Sequence, residues 1–138
     1  TFFAPDELVL VTRTGGRYAR TESLTCEQLL STPLVLRENG SGTLEVISAA
    51  LAAKGIRLSQ LDVVMRLGTT EGIKGFVRNS DVLAIVSVTS VVDELRSGAL
   101  RIIDIEGLTL SRDFNFVHAE AEPARLVRQF VDFARANR

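Results

Sequence analysis

Hydroxyl residues gather at three places in this 138-residue chain, the first two beside glycine: Gly40-Ser41-Gly42-Thr43, Gly68-Thr69-Thr70, and Ser87-Val88-Thr89-Ser90. Serine and threonine at such points accept hydrogen bonds from the exposed N–H groups of a helix's first turn. The helix start also carries partial positive charge. A strand that feeds such a loop and then a helix therefore offers a seat for a carboxylate, sulfate or phosphate. One such loop is ordinary capping, but three of them suggest one shared polar ligand. The candidate ligand-binding residues are Ser41, Gly42, Thr43, Thr69, Thr70 and Thr89. None of the three loops is a P-loop or a dinucleotide fingerprint, because neither glycine pattern is present.

Other chemistry finds little support. There is one cysteine, Cys26, and one histidine, His118. No disulfide can form within the chain, and no Cys/His metal cluster exists. The patterns G-x-S-x-G and H-E-x-x-H are missing, and the carboxylates are scattered. Binding is expected rather than catalysis: no catalytic residue, no metal and no cofactor. The formal charge is −1, with no basic block, so this segment itself is not expected to grip nucleic acid. No apolar run approaches the roughly 20 residues that span a bilayer, so no membrane partner is expected. The start lacks the features of a signal peptide. A lone cysteine fits a reducing, cytoplasmic setting. The first residue is Thr1 rather than Met, which suggests a fragment of a longer protein.

These loops need a scaffold. Apolar runs at Leu8–Val11, Pro33–Leu36, Asp62–Leu67, Val82–Val86 and Leu100–Ile105 read as strands. Between them lie helical patterns. Thr25-x-x-Gln28 is a capping box. Leu44, Ile47 and Leu51 share one helical face from Thr43 to Lys54, and Gly55 is the expected stop. Thr69 or Thr70 caps a helix that buries Ile73, Phe76 and Val77, and Ser90-x-x-Asp93 reads as the cap of a short one. Asp113 to His118 alternates as a half-exposed strand. Glu120 to Pro123 opens a last helix, Pro123 at its first position. Strand and helix alternating through short links predict an α/β fold, a mostly parallel sheet with helices on both faces. Ligands bind beyond the carboxyl ends of such strands.

Several segments carry a family resemblance. Arg37-Glu38-Asn39-Gly40-Ser41-Gly42-Thr43 is similar to "R-E-x-G-S-G-T". Leu67-Gly68-Thr69-Thr70-Glu71-Gly72-Ile73-Lys74 is similar to "L-G-S-x-E-x-I-K". Val82 to Ser90, then Asp93-Glu94-Leu95 and Ser97-Gly98-Ala99-Leu100, resemble "G-I-A-x-x-S…E-L-x-x-G-x-L". Phe130-Val131-Asp132-Phe133 resembles a closing "F-x-x-F". In this order the segments resemble the effector-binding domain of LysR-type transcriptional regulators. Asn79-Ser80-Asp81 departs from the family's glycine-containing turn at that point.

The resemblance implies a fold like type 2 periplasmic binding proteins, with the second lobe complete and the first only partial. Residues 1–20 would end the first lobe and begin a crossover, 21–119 would form the second lobe, and 120–138 would return to the first. It also implies a small effector, anionic or otherwise polar, in an interlobe cleft. A homo-oligomer, dimer or tetramer, is implied, with DNA held only by an upstream helix-turn-helix that these residues do not contain. The alternative is an extracytoplasmic solute-binding protein of the same fold. With the first lobe incomplete, the stripe Leu126, Phe130 and Phe133 should be covered by self-association or by refolding onto the second lobe, because burying each is worth about 1.5–3 kcal/mol.

Overall fold

A computed structural model describes residues 1–119 and 121–138. Glu120, which the sequence reading places at the start of the last crossover, lies outside the described residues. The chain divides into two compact units, Glu7–Leu110 and a smaller one made of Thr1–Asp6 with Ser111–Arg138.

The larger unit holds the C-terminal part of β1 (Phe2–Arg13), then β2 (Ser23–Leu24), α1 (Cys26–Leu30), β3 (Leu34–Arg37), α2 (Gly42–Ala52), β4 (Val63–Leu67), α3 (Thr70–Arg78), β5 (Leu83–Ser87), α4 (Val92–Ser97) and β6 (Leu100–Ile105). Its sheet runs β2-β6-β1-β5-β3-β4. Strand β3 is parallel to both β4 and β5, while β1 is antiparallel to β5 and β6. The sheet is thus mixed: the mutually parallel strands are those joined by helical crossovers, and β1 enters against them. That strand is also much longer than the Leu8–Val11 run that marks it in the sequence.

Side-chain alternation builds two cores, one on each face of the sheet. Leu8 and Leu10 of β1, Leu34 and Leu36 of β3, and Leu83 and Ile85 of β5 pack with Leu44, Ile47 and Leu51 of α2. Their neighbours Val9, Val11, Val35, Ala84 and Val86 pack with Ile73 and Val77 of α3. The larger residues face α2 and the smaller ones face α3. Helix α2 ends as its sequence indicates. Gly55 takes a φ of +74°, and the Ile56 and Gly55 amides donate to the carbonyls of Leu51 and Ala52, each at 2.9 Å. That is a Schellman stop, which needs a residue tolerant of the left-handed region.

In the smaller unit β7 (Leu110–Asn115) pairs with β1, and α5 (Arg125–Ala136) closes the chain. The buried Asp6 carboxylate accepts from Arg112 Nε at 2.8 Å. The Arg112 guanidinium lies 4.8 Å from the centre of the Phe114 ring. Rings of Phe3 and Phe116 meet edge to face at 4.9 Å, and Phe116 meets Phe130 at 6.2 Å.

Two boundaries need correction here. The strand expected at Asp113 to His118 begins earlier, at the buried Leu110, and ends at Asn115, with Val117 92% exposed beyond it. Pro123 is not the first residue of α5. Ala124 is extended (φ −54°, ψ 154°), and the helix begins at Arg125. The stripe Leu126, Phe130 and Phe133 is 77%, 61% and 67% exposed.

Candidate functional site

Because β3, β4 and β5 run parallel, their carboxyl ends share one rim of the larger unit. The three hydroxyl loops leave from those ends. In the first, Gly40 takes a φ of +88°, a conformation suited to glycine. It delivers Ser41 in extended backbone, where Ser41 Oγ accepts from the Leu44 amide at 3.1 Å. Gly42 and Thr43 are then the first two residues of α2, so Ser41 rather than Thr43 is the cap.

The second loop is built the same way. Thr69 is extended (φ −138°, ψ 149°), and its Oγ1 accepts from the Gly72 amide at 3.0 Å, leaving Thr70 as the first residue of α3. Gly68 lies beneath the Glu38 carboxylate: a Cβ there would be 3.5 Å from Glu38 Oε2. These two loops are tied together. The Glu38 amide donates to the Leu67 carbonyl at 3.2 Å, and Arg66 Nη1 donates to the Arg37 carbonyl at 3.3 Å. Arg37 Nη2 also meets Glu38 Oε1 at 3.2 Å. The guanidinium holds the Glu38 carboxyl below its ordinary range.

The third loop differs. Ser87 is followed by a 3-10 turn, Val88–Val91. Ser87 Oγ and Thr89 Oγ1 lie 2.9 Å apart. Ser90 does not cap α4 as its spacing to Asp93 suggests. Its hydroxyl turns back to the Ser87 carbonyl at 2.7 Å, and α4 starts at Val92 with no side-chain cap. A short hydroxyl side chain can always satisfy itself on its own turn, and here that local bond wins.

Lys74 is absent from the sequence-derived set of site residues, although it closes the "E-x-I-K" segment. From α3 its ammonium reaches Glu94 Oε1 at 2.7 Å, the Ser90 carbonyl at 2.8 Å and Glu71 Oε1 at 3.2 Å. Its side chain is only 11% exposed and that of Glu94 13%. The bond to Glu94 raises the Lys74 pKa above its ordinary value and lowers that of Glu94. The second and third loops are thereby fastened through one ammonium, much as the first two are fastened through Glu38.

The rim continues past β5. Leu8 of β1 stands opposite Ser87. Beyond the Leu10–Ile103 pair, β6 turns from β1 to β2. A groove of about 260 Å³ opens there, lined among others by Glu7, Leu8, Ile103, Asp104 and Thr109. The sequence offers no motif for it, because it arises from strand divergence.

Chemically the rim presents hydroxyls and helix-start amides, with Arg37 and Lys74 each engaged by a carboxylate. Such a set can bind and orient a polar group. His118 belongs to the other unit, and Cys26 Sγ lies 3.8 Å from the Glu106 carbonyl. Among the described residues no group of three or more His, Cys, Asp or Glu could hold a metal ion. No helix there is long and apolar enough to cross a membrane.

The family model described as LysR substrate binding domain matches residues 1–138. The chain is 31% identical over 129 residues to the uncharacterized HTH-type transcriptional regulator YeiE of Escherichia coli K12, covering 93% of this chain and 43% of that protein. It is 25% identical over 132 residues to the HTH-type transcriptional activator CmpR of Synechocystis sp., covering 95% and 42%. A third relative, 35% identical over 134 residues, is the phosphonates import ATP-binding protein PhnC of Anaeromyxobacter dehalogenans, with 96% of this chain and 27% of that protein covered. The chain thus spans well under half the length of these curated relatives. Among solved structures it matches the Synechocystis CcmR regulatory domain in complex with 2-PG (TM-score 0.81, 22% identity, 99% of this chain and 65% of that one). It also matches the effector binding domain of QuiR in complex with shikimate (TM-score 0.69, 16% identity, 99% and 64%). At these identities the two structures establish the shared fold.

Proposed function

The chain belongs to the LysR substrate binding domain family, and we propose that it is the ligand-sensing part of a cytoplasmic transcriptional regulator. Its effector is a small polar or anionic metabolite. The contacts on this side of the cleft come from Ser41, Gly42, Thr43, Thr69, Thr70 and Thr89. The larger unit is the core of the second lobe, and the smaller unit belongs to the first. In this reading the protein is not an enzyme.

The observation that carries the reading is the shared rim, where three parallel strands end in three hydroxyl loops. The 2-PG and shikimate complexes of the two fold neighbours support a small polar molecule as the ligand. Effector binding would favour one arrangement of the lobes by differential affinity. That arrangement would in turn set the geometry of a homo-oligomer, dimer or tetramer, whose upstream helix-turn-helix segments hold DNA.

Calorimetric titration with shikimate and 2-PG, followed by other small polar acids, tests the reading. A Thr69→Val variant keeps the shape but removes a hydroxyl. For any acid that binds, its dissociation constant should rise about tenfold, the effect of one lost hydrogen bond. An unchanged affinity in the variant sinks the site assignment.

The PhnC relative, named for phosphonate import, favours a second reading, in which this domain serves uptake rather than transcription. The coding region upstream of Thr1 separates the two. A helix-turn-helix supports the regulator, and an export signal supports a solute-binding protein.

A further inference from the structure

We propose that Lys74 is a positioning residue for the third rim loop, and that its pair with Glu94 is kept for the geometry of that loop rather than for stability. The proposal rests on reading the rim as the effector site, since it concerns how that site is held. Three elements meet at the ammonium: α3, which carries Lys74, the 3-10 turn with Ser90, and α4 with Glu94. An ammonium has three protons to donate, and here three oxygens receive them. One of the three is a backbone carbonyl of the turn. Fixing the Ser90 carbonyl fixes the Ser90–Val91 peptide plane, one residue beyond Thr89, and so helps hold the turn that presents the Ser87–Thr89 hydroxyl pair. The turn has no side-chain cap of its own; Ser87 Oγ and Thr89 Oγ1 lie 2.9 Å apart, and Ser90 Oγ donates to the Ser87 carbonyl at 2.7 Å.

The pair is poorly arranged if stability is its purpose. Glu94 Oε2 is buried without a hydrogen-bond partner among the described residues. A desolvated oxygen left bare is costly, and apolar residues of similar volume often replace a buried ion pair with no loss of stability. Apolar material is already at hand, with Val88, Val91 and Leu95 packed in the cluster that holds Ile73 and Val77. What an apolar pair could not supply is a donor aimed at the Ser90 carbonyl.

The test uses the whole chain without ligand. The double variant Lys74→Met/Glu94→Leu should melt within a few degrees of the parent chain or above it. Amides of residues 88–91 should nonetheless exchange at least about tenfold faster by mass spectrometry or NMR, with those of β5 and α3 unchanged. Lys74→Arg, which keeps a charged donor, should bring the exchange back toward the parent rate. Unchanged exchange at 88–91 in the double variant overturns the proposal. So does acceleration spread over the whole unit together with a lower melting temperature. Because no ligand enters these measurements, their outcome stands apart from the Thr69→Val titrations that test the rim as a site.

Discussion

At the scale of single residues, the rim is governed by hydrogen bonds to charge. Glu94 has its pKa lowered from an ordinary 4.5, chiefly by Lys74. Its contribution to stability is therefore complete above that value and is lost as the pH falls through the lower folded value. Lys74 is raised from an ordinary 10.5, chiefly by Glu94. Its contribution is complete below that value and is lost as the pH rises through the higher folded one. The clamp should hold undiminished from about pH 4.5 to about pH 10.5. Thermal melts of the parent chain should fall on acidification below that window, and Glu94→Gln should lose less over the same interval. A parallel decline in both proteins would remove Glu94 from the acid response. Asp81 and Glu38, lowered by Arg17 with Arg13 and by Arg37, push in the same direction from exposed positions. At neutral pH, Lys74→Met alone should cost about 1.5–3 kcal/mol, because it strands a carboxylate that Glu94→Leu would remove.

At the scale of elements, two glycines predict effects of opposite sign. Gly55 stops α2 with a φ of +74° and open space around it. Alanine there meets no atom but must occupy the left-handed region, at a cost of about 1–2 kcal/mol. Gly75 lies inside α3, with nothing within 4 Å of an added Cβ. Alanine there should stabilise by about 0.5–1 kcal/mol through helix propensity and a less flexible unfolded chain. Urea unfolding of the two variants measures both signs. Equal signs would mean that the helix ends are set by tertiary packing rather than by backbone preference. Between the sheet and α2, Leu36 is fully buried, and Leu36→Ala should cost about 2–5 kcal/mol.

At the scale of the whole molecule, the apolar stripe of α5 demands a partner. Three large side chains at 61–77% exposure leave several kcal/mol of burial unrealised. Contiguous apolar surface of this kind marks an association site. Sedimentation of this chain should show self-association that weakens with Leu126→Ser/Phe130→Ser. A monomer at all concentrations, with α5 mobile rather than packed onto the second lobe, would oppose the expectation.

How far the sequence reaches follows from the range of the forces involved. Periodicity of two and of 3.6, the Thr25–Gln28 capping box, a cap at Thr69 or Thr70, and the stop at Gly55 are local preferences. Neighbouring residues fix them, so they could be read directly and they stand in the structure. The ordered segments around Arg37–Thr43 and Leu67–Lys74 carried the family as well. Tertiary structure decided the rest. Strand β1 runs against β5 because pairing over some 75 residues sets its direction, which no local pattern records. Ser90 forgoes its cap for a bond within its own turn. The groove at the end of β6 exists only because two strands diverge. Lys74 reads in the sequence as one more charge on a helix. Only when α3, the 3-10 turn and α4 come together do a carbonyl and two carboxylates converge on it, since a charge's role is set by what folding brings within hydrogen-bonding distance.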